Sequence, residues 1–300
     1  MGMSSTEANF LDAANERFAT EVGAEGEVTI AGAGTRSGAV DGVRLVHAPV
    51  GIEWVQPAEM TIKCGAGTPV EEVDAALREH GQRVIIPSGG TIGGALAVGQ
   101  SGIDRLGYGP IRDALLQTHY VSAAGEVVKA GGPTVKNVSG FDLCRLLVGS
   151  RGTLGFFSDV ILRTRPRAQA EQWFMSERDP WELIAELYRP ISVLWDGATV
   201  WVHLEGHADD IAAEASTTGM VETDGPSTLP QQARWSMSPS ELESLRVATP
   251  GSFVAEIGVG IVHHTRPAPN REQDAAVVEM NRRIRHEFDP AGRLNPGLAD

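Results

Sequence analysis

The sequence predicts an α+β protein in two parts, a glycine-rich part over residues 1–167 and a smaller sheet-and-helix cap over 168–285, with 286–300 as a closing segment. Three observations predict this. Apolar residues recur at helical spacing in some stretches and alternate at strand spacing in others, so both element types are present. Glycine clusters at 32–38, 88–102 and 149–155 interrupt the first part. Past about residue 168 glycine thins out, and strands alternate with helices as in a separate domain.

The elements follow in chain order. Phe10, Leu11, Ala14, Phe18 and Val22 share one face of a helix over 6–22. A strand over 27–31 leads into the loop GAGTRSG, and strands at 43–47 and 60–64 follow. Thr68-Pro-Val-Glu71 reads as a capping box with proline at the first helical position. The helix it starts carries Val70, Val73 and Leu77 and stops at Gly81. VIIP at 84–87 reads as a buried strand, 118–129 as a hairpin turning at Gly125, and 156–164 as a strand closed by Pro166. In the second part Val200, Val202 and Leu204 alternate with Trp201, His203 and Glu205, which puts His203 on an outward face. Residues 220–240 read as a loop, 253–262 as one strand, and Val277, Ile284 and Phe288 mark a final helix.

Composition narrows the function classes. Three hundred residues, 42% hydrophobic and 21% charged, suffice for a sizeable core. A formal charge of −14 argues against nucleic acid or an anionic membrane as the main partner. Cys64 and Cys144 show no metal or redox spacing and read as core residues of a reducing compartment. There is no basic-then-apolar leader and no run of 18 apolar residues, so no transmembrane segment and a cytoplasmic location are expected. Without a leader, the Asn137-Val-Ser sequon reads as accidental.

The glycine stretches carry the chemistry. GAGTRSG departs twice from a dinucleotide fingerprint: its spacing is G-x-G-x-x-x-G, and AVDGVRLVH after it is no helix. Its successive backbone N–H groups can still cradle phosphate beside the Thr35 and Ser37 hydroxyls; a plain turn accounts for it equally well. SGGTIGGALAVGQSG, residues 88–102, sets glycine pairs ahead of Ala95, Ala97 and Gly99, and so many small residues admit a second backbone or a planar ligand. In GGPTVKNVSGFDLCRLLVGSRGTLGFF, residues 131–157, Lys136 and Asn137 precede a short apolar helix. Gly149, Gly152 and Gly155 then follow three apart, as a tight turn or as a path for backbone against a ligand.

Together these runs resemble the FAD domain of the vanillyl-alcohol-oxidase-type, or PCMH-type, flavoproteins. The order is IAGAGTRSG, AGTPVEEVDAALREHGQ, P-x-x-x-TIGG-x-x-A-x-G-x-SG, G-x-x-RD, GG-x-x-x-KN-x-x-GFDL-x-RL and GS-x-GTLG, with FDPAGRLNPG at 288–297 as a closing motif. The resemblance covers roughly 28–167 and 286–297, and within the family it is nearest to E-type FAD subunits of bacterial glycolate oxidase complexes. It implies that Gly32, Ala33, Gly34, Thr35, Arg36 and Ser37 wrap the FAD pyrophosphate. Pro87, Thr91, Ile92, Gly93 and Gly94 would line the pyrophosphate and ribityl side, with Gly99, Ser101 and Gly102 beside them. Gly149, Gly152, Thr153, Leu154 and Gly155 would approach the cofactor, and Phe156 would start the strand beneath. Lys136 and Asn137 would donate to flavin or phosphate oxygens, or cap the helix after Phe141.

The implied activity is oxidation of a 2-hydroxy acid to the 2-oxo acid with hydride transfer to flavin. The implied partners are a small 2-hydroxy acid substrate, a second flavin subunit and an iron–sulfur subunit, through which the chain would sit at the inner membrane. A stand-alone FAD-dependent dehydrogenase or oxidase, and a non-catalytic FAD-binding assembly or relay subunit, are the alternatives. Three departures qualify the resemblance. The first loop has no histidine or cysteine for a covalent flavin, so dissociable FAD is expected. The H-x-G-D-G-N run that D-lactate-dehydrogenase-type relatives use for substrate and metal is absent, and no metal site is expected. His263-His264 reads as a surface or strand-end pair, with a base or ligand as the alternative, and Arg266 as an isolated candidate for a carboxylate, leaving no identified general base.

Overall fold

The computed structural model describes residues 10–36, 38–132, 142–248, 252–270 and 273–298. The α+β class is what it shows, in two compact units. One comprises Met1–Gly102, Pro110–Arg167 and Gln273–Asp300; the other comprises Ile103–Gly109 and Ala168–Glu272. The last helix therefore belongs with the glycine-rich unit, and a short piece of the first half belongs with the second.

The first unit is built on a five-stranded antiparallel sheet in the order Ile52–Gln56, Thr61–Gly65, Phe156–Arg163, Leu115–Val121, Val127–Gly131. Phe156–Arg163 sits at its centre, so it is apolar on both faces and buried almost throughout. On one face Ile62, Val160 and Leu162 pack under the helices Val70–Arg78 and Ile92–Val98. On the other, Phe18 and Val22 of the helix Phe10–Val22 meet Val28, Val121 and Phe156. Burying a phenylalanine as completely as Phe156 contributes about 1.5–3 kcal/mol. Val28–Ile30 pairs in parallel with Arg44–Val46, and the chain leaving this pair is the first glycine loop.

Beneath the helix Phe10–Val22 lies an ion network that no local pattern signals. Asp159, wholly buried, accepts from Asn15 Nδ2 at 2.7 Å and meets His119 Nδ1 at 3.0 Å. Lys63 Nζ stands 3.7 Å from Asp159 and 2.7 Å from Glu53. Burial alone would push the Asp159 carboxyl up; hydrogen bonds from His119 and Asn15 and the charges of His119 and Lys63 hold it below its ordinary value instead.

The second unit is a seven-stranded antiparallel sheet ordered Val221–Thr223, Ala170–Ser176, Val200–Gly206, Ser192–Trp195, Phe253–Glu256, Ile261–His264, Ala233–Ser236. Val193, Trp195, Val200, Val202 and Phe253 face the core formed with Leu183, Ile211 and Leu242 from its helices. The alternate residues form a polar face, and that face is where the second unit's chemistry lies.

Several local expectations change. Thr68 and Glu71 do not form a capping box: Thr68 Oγ1 exchanges hydrogen bonds with Gly51, and Glu71 accepts from Gly89 N at 2.7 Å. Residues 84–87 are not a strand; Val84 and Ile86 are apolar because they enter the core, while pairing stops at Gln82–Arg83. Ile52–Gln56 is an additional strand, unsignalled because its residues are mostly half-buried. The expected loop 220–240 holds the two edge strands of the seven-stranded sheet, whose polar sequences suit an edge. Residues 253–262 form not one strand but the start of a hairpin, turning between Glu256 and Ile261.

A candidate cofactor cavity and a polar sheet face

The parallel pair ends at Ala31, whose N–H donates to Val46 O at 3.2 Å. Among the described residues, the N–H groups of the next five residues, Gly32 to Arg36, donate to no protein acceptor. Arg36 turns its guanidinium away from its own loop. Its Nη1 donates to Gly89 O at 2.5 Å and its Nη2 to Pro87 O at 2.7 Å and Ser88 O at 3.0 Å. Burial draws this guanidinium below its ordinary value, and Glu71 opposes the shift. The arginine thus clasps the loop to the stretch before Thr91.

Thr91 caps the helix Ile92–Val98, accepting from Gly94 N at 3.1 Å. The neighbouring amides are taken as well: Ile92 N by Thr68 O at 3.0 Å, Gly93 N by Ala66 O at 2.7 Å, and Ala95 N by Thr91 O at 3.0 Å. Gly93 is glycine because another strand passes it; a Cβ there would lie 2.9 Å from the Cβ and carbonyl oxygen of Ala66. Gly94 has only Thr91 Oγ1 in reach and faces open space.

The closing motif supplies the remaining wall. Arg293, almost fully buried, donates to the carbonyls of Val22, Gly23, Glu25, Gly26 and Ala123, pinning the end of the helix Phe10–Val22. Asn295 Oδ1 accepts from Thr29 Oγ1 at 2.9 Å and Ile30 N at 3.1 Å, while its Nδ2 donates to Arg151 O at 2.7 Å. Gly152 adopts φ +77°, and a Cβ there would lie 2.6 Å from Asn295 Nδ2.

These segments enclose a cavity with about 720 Å³ of empty space, part of it open to solvent. Gly32, Ala33, Gly34, Thr35, Arg36, Thr91, Gly93, Gly94, Gly152, Gly155 and Phe156 line it, and all of them are among the residues that the resemblance implies for the cofactor. Ile30, Ala31, Gly38, Ala48, Ala66, Gly67, Ala97, Arg151, Phe157, Asn295 and Leu298 join them. Of these only Ala48 and Leu298 lie outside the motifs quoted above; the others stand in those motifs without having been expected at the cofactor. Among the described residues no carboxylate lines the cavity, and the charged residues that do, Arg36 and Arg151, are both cationic.

The other expected residues stand elsewhere. Ile92 and Leu154 are core side chains, and Ser101 Oγ accepts from Ile111 N at 3.0 Å. Gly99 caps its helix against Gly149, Pro87 offers its carbonyl to Arg36, and Gly102 sits beside Pro87. Gly149, Thr153 and Leu154 line a neighbouring cleft with Asn281, Ile284 and Arg285. Ser37, Lys136 and Asn137 lie outside the described residues.

On the polar face of the second unit, His203 is not outward and free but buried, stacked on Trp173 at 4.6 Å between ring centroids. Its ring lies near Glu171 and Glu205, with possible ligand atoms of the three within 4.8 Å of one another. Tyr108 OH donates to Glu205, so protein contacts already engage this trio. His263 and His264 are not a surface pair either. His264 is buried, stacks on Trp235 at 4.0 Å and accepts from Arg266 N at 2.9 Å; burial and then Arg266 draw its ring below its ordinary value. His263 Nε2 meets the buried Glu256 Oε1 at 2.9 Å. Arg266 is exposed.

Two family models match the chain: "FAD binding domain" over residues 17–131 and "FAD linked oxidases, C-terminal domain" over 180–298. Glycolate oxidase subunit GlcE of Escherichia coli is 36% identical over 191 residues, 58% of this chain and 53% of that protein. D-lactate dehydrogenase of Archaeoglobus fulgidus is 37% identical over 107 residues, 35% of this chain and 24% of the relative. The chain thus spans about half or less of these relatives. A solved alkyldihydroxyacetonephosphate synthase shares the fold at TM-score 0.64 and 15% identity, covering 95% of this chain and 74% of its own. Among the described residues, no helix is long and apolar enough to cross a membrane. With an FAD binding domain followed by the C-terminal domain of FAD-linked oxidases, the chain belongs to the PCMH-type FAD-linked oxidoreductases, and FAD is its cofactor.

Proposed function

We propose that this chain is an FAD-binding subunit of a glycolate-oxidase-like complex that oxidises a small 2-hydroxy acid to the 2-oxo acid. The observation that carries the proposal is the cavity of the first unit, which among the described residues has a wall of glycine and alanine, five amides without protein acceptors, two arginines and no carboxylate. That donor set fits a ligand with a doubly anionic pyrophosphate and a flat ring, because successive free N–H groups hold phosphate without a helix N-terminus. The amides of residues 32–36 would hold the pyrophosphate, and Arg151 would add charge at the other wall. The cavity fits the planar part as well, since a side chain at Gly94 would project into it. No histidine, cysteine or tyrosine lines the cavity, which supports dissociable rather than covalently attached FAD.

Bound there, the flavin supplies the hydride acceptor for oxidation of a CH–OH group. The protein's own work is to hold the anionic part on backbone donors and to keep bulk water off the small-residue wall. The relatives, one a glycolate oxidase subunit and the other a D-lactate dehydrogenase, support the 2-hydroxy-acid reading. The chain has only Cys64 and Cys144, both buried, so it cannot ligate an iron–sulfur cluster with four cysteines. Electrons would leave through a separate iron–sulfur subunit, and a second flavin subunit would complete the assembly.

Anaerobic mixing with glycolate or D-lactate tests this. The flavin band is expected to bleach when the chain is purified with its co-expressed partners. A preparation that takes up no FAD, or a loaded complex that neither acid bleaches, overturns the proposal. Bleaching of the isolated chain would favour the stand-alone enzyme.

A further inference from the structure

On the polar face of the seven-stranded sheet, Arg234 and His263 are directly opposed across the strands Ala233–Ser236 and Ile261–His264. Residues so opposed point to the same side, with Cβ atoms about 4.5–5.5 Å apart. Glu256, on the strand Phe253–Glu256 that flanks the histidine, points to that side too. The Glu256 carboxylate is 2% exposed and accepts from His263 Nε2 at 2.9 Å. Its Oε2 has no hydrogen-bond partner among the described residues.

The contact decides the tautomer. A carboxylate can only accept, so a neutral ring carries its proton on Nε2 and presents Nδ1 as an acceptor. Among the described residues, Nδ1 of His263 has no protein partner. The cationic side of the cluster is in excess. Burial draws the Arg234 guanidinium below its ordinary value, Glu256 draws it up, and Arg105 pushes it down again. Neither Arg234 nor Arg105 has a carboxylate within ion-pair distance among the described residues. Arg234 thus has one acidic neighbour, Glu256, and a second guanidinium, Arg105, near it, which leaves room for a further negative charge.

We propose that Arg234 and His263, with Glu256 behind the histidine, form a binding site for a small 2-hydroxy acid. Arg234 takes the carboxylate through its paired N–H groups, and His263 Nδ1 accepts the hydrogen of the adjacent hydroxyl. Glu256 is a positioning residue that fixes the ring. The inference rests on the 2-hydroxy-acid reading above and adds the residues that recognise the acid.

Calorimetric titration of the FAD-loaded full chain with glycolate and acetate, and with D-lactate and propionate, tests it. Each hydroxy acid is expected to bind about tenfold tighter than its deoxy partner, as suits one hydrogen bond to a buried acceptor. Arg234→Gln should weaken both members of a pair about tenfold or more, with Arg234→Lys intermediate. The double variant Glu256→Leu/His263→Leu leaves no buried charge behind and should erase only the preference for the hydroxy acid. If these variants do not fold, the His263 ring nitrogens of the native chain serve instead, Nδ1 shifting with glycolate and not with acetate. Absence of binding, equal binding of hydroxy and deoxy acids, or unchanged binding in folded Arg234→Gln overturns the site. A chain that takes up no FAD yet binds glycolate with the expected preference overturns the cofactor reading and leaves the site standing.

Discussion

Two glycine segments of the first unit look alike in sequence and differ in what they leave free. In residues 32–36 five successive amides have no protein acceptor among the described residues, and Arg36 is turned to the carbonyls of Pro87, Ser88 and Gly89. In residues 92–94 the amides are spent on Thr68, Ala66 and the Thr91 side chain. The first segment leaves its donors without protein acceptors; the second uses its donors to build the wall. Glycine marks both, since both need backbone where a side chain would collide. Only donor accounting separates them.

Adjacent glycines in the second segment give the largest expected effects. Gly93→Val drives a side chain into Ala66 and should lower the stability of the apoprotein by about 1–3 kcal/mol, seen as a fall in Tm. Gly94→Val should leave Tm nearly unchanged and weaken FAD roughly ten- to hundredfold, measured by flavin fluorescence titration. Equal losses of stability in both would break the distinction between wall and cavity. Gly152→Val is a poorer probe, because its side chain would meet Asn295 before it reached a ligand.

Acid should act next, and on the sheet beneath both segments. The Asp159 carboxyl lies below its unfolded value, so the stability it contributes is present above the unfolded pKa, about 3.9, and is lost as pH falls through the lower folded value. Unfolding by acid is therefore expected below about pH 4, with flavin release following. In Asp159→Asn this portion of the acid dependence should vanish, along with part of the stability at neutral pH. An acid transition identical in variant and native chain would contradict the assignment.

The smallest effect belongs to Thr91. Removing its cap in Thr91→Ala should cost about 1 kcal/mol by chemical denaturation. FAD affinity should fall less than in Gly94→Val, since the Thr91 hydroxyl already serves Gly94 N. A larger loss of affinity than of stability would move Thr91 from wall to ligand contact.

Much of the cavity was legible in the chain. Thirteen of its lining residues fall in the three glycine runs 32–38, 88–102 and 149–155, where the clustering of glycine can be seen without coordinates. The remainder was hidden for stated reasons. Ala48, Ala66 and Gly67 lie outside the expected glycine walls, and Asn295 comes from the far end of the chain. Conversely, Gly99 and Ser101 belong to the same run as Gly94 yet serve helix capping and a loop amide. Proximity in sequence to a binding glycine does not make a neighbour bind. The edge strands Val221–Thr223 and Ala233–Ser236 were illegible because an edge strand can be polar and short.

FAD was implied by a family resemblance, while the sequence by itself determined that the protein is α+β and that its first part is walled with glycine. Those properties follow from residue type and local spacing: period in apolar residues, and missing side chains in clusters. Tertiary structure alone decided which amides remain free, that Arg36 braces a loop, and that Arg293 pins a helix end. It also decided that Arg234, Glu256 and His263 share one face of a sheet. The physical reason is that a hydrogen bond or an ion pair needs its partner within about 4 Å. Strand order and register, which bring distant residues that close, are not written in the spacing of any one segment.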